Sequence, residues 1–290
     1  YKRIKQLIND YAPDSIHIAT EGPLGWAARR YCLKHDRRFS TAYHTMFPDY
    51  IAKRAARNFK SLYNPARAYG IHLVRKFHNP ASVLITTTPS ITRILSDWGV
   101  RAPMVDIPRG VPLADFHPEG PAVDDAILST MKKPIALYVG RVAIEKNIEA
   151  FLDMDWPGSK IVIGHGPSLT HFQALHPAVT FTGKITGPEL AQWYRSADIF
   201  AFPSKTDTFG IVLIEALSCG LPVAALPEPG PRDIITTPLL GALDPDLSTA
   251  ASKALQAIGT KEQRHNHIAQ NYTWDAFTER ALHAFSTHDC

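Results

Sequence analysis

The sequence contains few cysteines and no long uninterrupted apolar segment. Its three cysteines, Cys32, Cys219 and Cys290, are far apart, and their spacing matches neither a zinc site nor a redox pair. We therefore expect a protein of a reducing compartment, that is, a cytoplasmic location. The most apolar segment, residues 209–226, is interrupted by a glutamate, a glycine and a proline, so we do not expect it to span a membrane.

The composition is that of a soluble globular protein, with 45% hydrophobic and 20% charged residues. It excludes a disordered chain, and the length of 290 residues suits two domains of ordinary size. Apolar residues at positions 4, 7, 8 and 11 follow a helical period from the very first residues. We therefore expect that the start of the first domain is missing.

Charge is distributed unevenly along the chain. Residues 1–110 contain 18 Lys and Arg against 7 Asp and Glu, a net charge of +11. Residues 111–290 contain 13 and 20, a net charge of −7. Two interpretations stay open: two ordinary solvated surfaces, or a basic first half that binds an anionic membrane or acceptor. We expect no nucleic-acid partner, because no recognised binding motif accompanies the charge.

Short apolar runs alternate with helical patterns along the whole chain. We predict strands at residues 15–19, 39–44, 81–87, 105–107, 135–139, 160–163, 179–181, 199–202 and 222–226. This alternation predicts an α/β fold with parallel sheets covered on both faces. We expect two doubly wound, Rossmann-like domains, residues 1–110 and 111–290, with a linker at 110–134. Ligands of such sheets bind at the carboxyl ends of the strands.

A cationic motif follows the predicted strand at 135–139 and contains Gly140, Arg141 and Lys146. Glycine permits a sharp turn, and two cations at a strand end suit a diphosphate, which arginine can bind in a bidentate manner. The alternative is that Arg141 or Lys146 pairs with Glu145 on a solvated helix end.

Two carboxylates, Asp207 and Glu215, belong to a predicted helix that begins near Thr208 and ends at Gly220. Glu215 has aliphatic neighbours, and a carboxylate there is costly unless it is hydrogen-bonded, for example to the two hydroxyls of a ribose. The N–H groups of residues 209–211 would face a phosphate at the helix N-terminus. The alternative is a capping Asp207 and a Glu215 that reaches solvent.

These motifs together resemble those of the retaining, nucleotide-sugar-dependent glycosyltransferases of family four, which have the GT-B fold. The family signature is two acidic residues separated by seven, with Phe-Gly after the first. The matching residues here are Asp207, Phe209, Gly210 and Glu215. Residues 140–146 match the family's Gly-Arg…Lys motif, and residues 164–167 resemble its Gly-Asp-Gly-Pro turn. Residues 17–25 and 43–50 are similar to the branch with GDP-mannose-dependent mannosyltransferases and sulfoquinovosyl transferases.

The resemblance implies two Rossmann-like domains that face a cleft, with the first domain incomplete. Family members begin with a strand and a Gly-rich loop, which this sequence lacks, so we expect about 60 residues to be missing. The last stretch, Tyr272 to Phe285, resembles the C-terminal helix that crosses back to the first domain.

The resemblance also implies the reaction. A hexose of mannose or glucose type is transferred from a nucleotide diphosphate sugar to a hydroxyl of a glycan or glycolipid, with retention of configuration. The implied catalytic residues are His44, Arg141, Lys146 and Asp207. The implied donor-binding residues are Gly140, Arg141, Lys146, Gly164, Lys184, Ile185, Asp207, Phe209, Gly210, Ile211 and Glu215. The resemblance implies no cofactor and no metal, since the cations stabilise the leaving diphosphate.

Each implied role has a particular form. Arg141 and Lys146 are expected at the diphosphate, Asp207 at the sugar hydroxyls and Glu215 at the ribose. His44 is expected to face the donor sugar, although a loop histidine with a structural role is the alternative. Lys184 and Ile185 are expected to border the base. His165 stands at the usual Asp position of the family's Gly-Asp-Gly-Pro turn. Many family members have Glu at the Asp207 position, so the identity of the sugar stays open.

A basic stretch at residues 51–78 contains Lys53, Arg54, Arg57 and Lys60 and is interrupted by Pro65. A packed helix with a solvated face is one interpretation, and contact with the cytoplasmic face of an anionic membrane is the other. Two alternative functions also stay open. One is a nucleotide-sugar epimerase of the same fold, which needs acid–base carboxylates in the first domain, where the candidates are Glu21 and Asp49. The other is a non-catalytic nucleotide-sugar-binding subunit.

Overall fold

The computed structural model describes residues 1–56 and 59–288. Arg57 and Cys290 lie outside the described residues. The chain forms two compact units, one of residues 1–108 with the segment from 277 onward, and the other of residues 109–276. The predicted ranges are 1–110 and 111–290, with the final helix expected to cross back to the first domain.

The first unit contains a four-stranded parallel sheet in the order β1-β2-β3-β4. Its strands are β1 (His17–Ile18), β2 (Ser40–Ala42), β3 (Val83–Thr86) and β4 (Met104–Asp106). Its helices up to residue 108 are α1 (Lys2–Tyr11), α2 (Pro23–Lys34), α3 (Phe47–Ala56), α4 (Tyr63–His78) and α5 (Pro89–Asp97), with a 3-10 turn at Lys60–Leu62. Pro65 lies in the first turn of α4, where proline is tolerated, so it does not interrupt that helix.

The second unit contains a six-stranded parallel sheet in the order β10-β9-β8-β5-β6-β7. Its strands are β5 (Ala136–Val139), β6 (Lys160–Ile163), β7 (Thr180–Gly183), β8 (Ile199–Phe202), β9 (Val223–Ala225) and β10 (Gly241–Leu243). Strand β5 lies between β6 and β8, so the strand order reverses there. In open α/β sheets this switch point creates a crevice at the carboxyl ends of the strands.

Helices cover the second sheet on both faces. They are α6 (Asp125–Leu128), α7 (Glu149–Leu152), α8 (Leu169–Leu175), α9 (Gly187–Ser196), α10 (Ile211–Ser218), α11 (Pro229–Ile234), α12 (Leu247–Leu255) and α13 (Lys261–Asn271), with a 3-10 turn at Ile144–Lys146. Neighbouring residues of β5 belong to opposite cores: Leu137 packs in one hydrophobic cluster and Tyr138 in the other. This alternation explains why the strand is apolar throughout.

The last helix, α14 (Trp274–His288), begins in the second unit and continues into the first. Ala281 and Ala284 pack against Ile85 of β3 in a small hydrophobic cluster. The neighbouring Leu84 belongs to the larger hydrophobic core of the first unit, on the opposite face of the sheet. The final helix therefore covers one face of the first sheet.

In the second unit, one expectation is wrong and one strand was missed. Residues 110–134 are not a loose linker, because Val111, Phe116 and Val123 are buried in the larger hydrophobic core of the second unit. The prolines in this stretch limit regular structure, but they do not prevent the side chains between them from packing. Strand β10 was not predicted, because it has three residues and begins with a glycine, which weakens the strand signal. Among the described helices, none has the length and apolar character that crossing a bilayer requires.

Candidate functional site

The loops that follow β5 and β8 contact each other at the switch point of the second sheet. Lys146 Nζ lies 2.6 Å from Asp207 Oδ1, and Asn147 Nδ2 donates to the carbonyl of Pro203 at 2.9 Å. Asn147 has a left-handed backbone (φ 54°), which asparagine tolerates better than most residues. These contacts bring the predicted cationic motif and the first predicted carboxylate into one site.

Both predicted cations are paired with carboxylates. Arg141 NH1 lies 3.2 Å from Glu145 Oε1, and the Arg141 side chain is 57% exposed. This is the pairing with Glu145 that the sequence analysis gave as the alternative. Lys146 does not pair with Glu145 but with Asp207, and the two side chains are 28% and 23% exposed. The site therefore contains two cations and two anions in the loops that follow β5 and β8.

Gly140 and Gly164 allow the ends of β5 and β6 to approach closely. A Cβ on Gly164 would lie 1.8 Å from the carbonyl oxygen of Gly140, which is impossible without backbone movement. The Gly164 N–H donates to Gly183, at the end of β7, at 2.8 Å. The predicted glycine turns are therefore required for close packing of three strand ends.

Tyr138 stabilises the loop that follows β5. Its hydroxyl donates to the carbonyl of Arg141 at 2.9 Å. Burial raises the pKa of Tyr138, and the charges of Asp207 and Glu145 raise it further. The hydroxyl therefore remains protonated and holds the backbone at Arg141.

Helix α10 begins later than we predicted. It starts at Ile211, because Gly210 has a positive φ of 87° and interrupts the helical backbone. Asp207 therefore lies in the preceding loop rather than at the helix N-terminus, and it pairs with Lys146. Phe209 is 4% exposed, and its ring packs 6.0 Å from that of Tyr272, so its side chain belongs to the core.

The end of α10 agrees with the sequence prediction. The N–H of Gly220 donates to Leu217, and that of Leu221 donates to Ala216, both at 2.9 Å. Gly220 has a φ of 79°. These bonds form a Schellman motif, in which glycine adopts the left-handed conformation after the last helical residues.

Glu215 lies within α10 and is partly buried. Its Oε2 accepts a hydrogen bond of 3.0 Å from the hydroxyl of Tyr194. Burial raises the pKa of Glu215, and the bond from Tyr194 opposes that shift. Asp207 and Glu215 therefore occupy different environments, one in a surface ion pair and the other in a hydrogen bond to a core tyrosine.

The remaining predicted residues lie in three places. Lys184 is exposed and Ile185 packs against the larger hydrophobic core of the second unit, both directly after edge strand β7. Ile211 is 41% exposed at the start of α10. His44 follows β2 in the first unit and is partly buried.

The first unit contains a further polar group at the end of α4. The buried imidazole of His78 contacts Glu21 Oε1 at 3.1 Å and Thr41 Oγ1 at 2.9 Å. Asp49 instead pairs with Arg67 at 2.8 Å. The two carboxylates considered for an epimerase are thus engaged by a histidine and an arginine.

Sequence reasoning missed Tyr194 and Asn147. Tyr194 follows the ordinary apolar pattern of a packed helix, and nothing in that pattern distinguishes it from a core residue. Asn147 directly follows the cationic motif, and its contact with Pro203 depends on the fold. Among residues 1–56 and 59–288, no group of three or more His, Cys, Asp and Glu side chains is arranged to hold a metal ion.

Two family matches cover most of the chain. Residues 1–115 match the family described as Glycosyltransferase Family 4, and residues 133–259 match Glycosyl transferases group 1.

Three relatives illustrate these matches. A sulfoquinovosyl transferase of Arabidopsis thaliana is 32% identical, over 80% of this chain and 46% of its own. An alpha-monoglucosyldiacylglycerol synthase of Streptococcus pneumoniae is 29% identical, over 93% and 65%. A GDP-mannose-dependent alpha-mannosyltransferase of Mycobacterium tuberculosis is 28% identical, over 84% and 63%. The chain thus spans about half to two thirds of the length of these relatives.

A solved structure supports the fold. Sucrose-phosphate synthase of Thermosynechococcus elongatus has a TM-score of 0.79 and 22% identity, over 98% of this chain and 75% of that one. The predicted α/β class with two Rossmann-like domains is confirmed. The chain therefore belongs to the family-four glycosyltransferases, which have the GT-B fold.

Proposed function

We propose that this chain transfers a hexose from a nucleotide diphosphate sugar to a hydroxyl acceptor, with retention of configuration. The observation that carries the proposal is the contact between Lys146 and Asp207 at the switch point of the second sheet. A cation and a carboxylate at that place suit a ligand with a diphosphate and sugar hydroxyls. The names of the relatives above support a mannose- or glucose-type sugar.

In this proposal, the cations and the carboxylates of the second unit bind different parts of the donor. Lys146 and Arg141 stabilise the negative charge that develops on the leaving diphosphate, which is catalysis by preorganised electrostatics. Asp207 contacts the sugar hydroxyls, and Glu215 accepts hydrogen bonds from the ribose. In a front-face reaction the acceptor hydroxyl attacks from the side on which the diphosphate departs, so its proton can pass to a diphosphate oxygen.

The proposal is tested by calorimetric titration with UDP-, GDP- and ADP-sugars, followed by a transfer assay with an anomeric analysis of the product. Lys146→Met keeps an unbranched side chain of nearly the same length and removes its charge, so we expect a loss of donor affinity of about 10-fold or more. Lys253→Met is a matched control, because Lys253 pairs with Asp244 at 2.8 Å in the same unit. A chain that binds none of these nucleotide sugars would contradict the proposal.

We propose that no metal is needed, because Arg141 and Lys146 supply the positive charge. The donor affinity is expected to be the same with and without excess EDTA. A loss of affinity that magnesium or manganese restores would contradict this part of the proposal.

Lys184, Ile185 and His44 complete the proposed set. Lys184 and Ile185 are proposed to border the base, and His44 is proposed to contact the donor sugar. His44→Ala is expected to reduce transfer more than it reduces the binding of the nucleoside diphosphate, since the diphosphate lacks the sugar. Equal losses in both measurements would contradict this role.

We further propose a lipid or glycan acceptor at a cytoplasmic membrane surface. In the first unit, Lys53, Arg54 and Lys60 are exposed, and Phe59 and Leu62 are 65% and 45% exposed. Cations beside exposed apolar side chains suit an anionic lipid surface. Sedimentation with vesicles tests this: we expect binding to vesicles with phosphatidylglycerol, weaker binding to pure phosphatidylcholine, and loss of binding in the triple variant with Glu at the three cations.

A further inference from the structure

Among the described residues, Tyr194 is the only core tyrosine of the second unit whose hydroxyl contacts a carboxylate that we propose to bind the ligand. It lies on α9, and its side chain is fully buried. Its ring packs edge-on against Phe116 and Phe200, with centroids 6.0 and 5.7 Å away. The hydroxyl donates to Glu215 Oε2 at 3.0 Å. The ring is therefore fixed by the core, and its hydroxyl is aimed at one oxygen of Glu215.

This arrangement orients the carboxylate. A glutamate side chain has three rotatable bonds, and fixing it for a ligand costs conformational entropy at the moment of binding. The bond from Tyr194 occupies Oε2, and within the described part of the chain we find no partner for Oε1. Oε1 is thus the oxygen that a ligand diol would meet.

We propose that Tyr194 is a positioning residue that holds Glu215 in the geometry needed to recognise the ribose of the donor. This inference rests on the proposed function and deepens it. A site built to hydrogen-bond a hydroxyl rejects a ligand that lacks it, because the polar group of the site is then left unpaired. Discrimination between ribose and 2′-deoxyribose therefore depends on a fixed Glu215, and through it on Tyr194.

The hydroxyl also influences the charge of Glu215. Among the described residues, the titratable groups that face this carboxylate are Tyr194 and Cys219, the residue directly after α10. Burial raises the pKa of Cys219 to about 12, so the thiol stays neutral. Burial likewise keeps Tyr194 protonated. Removal of the Tyr194 hydroxyl leaves burial unopposed and raises the pKa of Glu215 further.

The test compares UDP with 2′-deoxy-UDP, and GDP with 2′-deoxy-GDP, by calorimetry on the full chain. We expect the wild type to prefer the ribonucleotide by about 10-fold, and Tyr194→Phe to reduce this preference to about 2-fold. When the pH is lowered, the affinity of Tyr194→Phe for the ribonucleotide should begin to fall at a higher pH than that of the wild type, because Glu215 of the variant is protonated earlier. If Tyr194 had only a structural role, Tyr194→Phe would change neither the ribose preference nor the pH dependence of the affinity.

Tyr31→Phe is a matched control. Tyr31 is a buried tyrosine of the first unit, and its hydroxyl makes a hydrogen bond of 2.5 Å to Asn9. The same atom is removed, so a comparable loss of stability is expected, but the ribose preference should stay at the wild-type level. Thermal melts of both variants show whether each is folded.

Glu215→Gln provides a second test that keeps the core tyrosine. If Tyr194 holds the amide oxygen of the new side chain, the amide NH₂ faces the ligand and can only donate to a hydroxyl oxygen. The charged acceptor is then lost, so the ribose preference should fall to about 2-fold. A Glu215→Gln variant that keeps the full preference of the wild type would show that the carboxylate does not recognise the ribose and would overturn the inference.

The outcomes separate the two proposals. Absence of nucleoside diphosphate binding, or equal affinities of the wild type for ribo- and deoxyribonucleotides, would overturn the proposed role of Glu215 itself. A wild type that prefers ribose, together with a Tyr194→Phe variant that keeps the full preference and pH profile, would overturn the role of Tyr194 alone.

Discussion

The ammonium group of Lys146 lies 2.6 Å from the Oδ1 atom of Asp207. The two residues are 61 positions apart, and they meet because β5 and β8 are neighbours in the sheet. Each side chain is mostly withdrawn from solvent, so the ion pair is stronger than a typical exposed pair. A diphosphate at this place therefore competes with a carboxylate of the protein for the same cation.

This competition predicts opposite effects of Asp207→Asn on two ligands. The affinity for the nucleoside diphosphate should rise by about 3- to 10-fold, because Lys146 loses its partner. Transfer from the intact sugar donor should fall, because the carboxylate at the sugar hydroxyls is lost. Calorimetry with the diphosphate and a transfer assay measure the two effects.

Asp244→Asn is the control for that prediction, since it makes the same chemical change in the ion pair of Lys253. It should leave diphosphate affinity unchanged. If Asp207→Asn weakens diphosphate binding instead, Asp207 holds Lys146 in place rather than competing for it.

Glu215→Gln is predicted to lower ligand affinity and raise stability. The pKa of Glu215 is raised by burial, so the folded protein binds this proton more tightly than the unfolded chain does. Stability is therefore lost as the pH rises from the unfolded pKa, about 4.3, through the raised folded pKa. Glutamine has no charge to bury, so the variant should be the more stable protein at neutral pH. Its affinity for ribonucleotides should fall by about 10- to 100-fold.

Thermal melts from pH 4 to pH 8 test the stability part of this prediction. The difference in melting temperature between Glu215→Gln and the wild type should be small at the acidic end and grow toward neutral pH. A difference that does not change with pH would show that ionisation of Glu215 does not contribute to stability.

The fold was predictable where the hydrophobic pattern is strong. Strand β8 was predicted with its observed bounds, and the apolar run of β5 was predicted with one extra residue, Ile135. Both strands are buried on two faces, so nearly every residue carries the signal. Residues 110–134 were misread, because burial of Phe116 in an irregular segment leaves no periodic pattern.

The site was predictable where it depends on residue type and not where it depends on backbone geometry. The spacing of Asp207 and Glu215 indicated two carboxylates near one helix, but not that Gly210 delays the helix start. The pairing of Lys146 with Asp207 follows from sheet order, which no local pattern contains. The partner of Glu215 was missed for the same reason, since Tyr194 lies on a different helix.

Gly164→Ala and Gly183→Ala are predicted to differ in severity, although both glycines have a positive φ. A Cβ on Gly183 meets no atom within 4 Å, so the variant pays backbone strain alone, about 1 kcal/mol of unfolding free energy. A Cβ on Gly164 would lie 1.8 Å from the Gly140 carbonyl oxygen and would force the two loops apart. We expect Gly164→Ala to cost more than about 3 kcal/mol and to weaken diphosphate binding. Urea unfolding measures both; equal costs would show that the loops adjust freely.

Ser204→Ala is predicted to stabilise the protein. Ser204 is 2% exposed, and its hydroxyl has no hydrogen-bond partner among the residues that the structure describes. An unsatisfied buried hydroxyl costs roughly 1–3 kcal/mol, so its removal should raise the free energy of unfolding by about 1 kcal/mol. Ser218→Ala is the matched control: that buried hydroxyl donates to the Phe116 carbonyl at 2.6 Å, so its loss should destabilise by about 1–2 kcal/mol. Urea unfolding of both variants should therefore give shifts of opposite sign. A destabilised Ser204→Ala would mean that this hydroxyl has a partner, such as an ordered water, that stabilises the loop after β8.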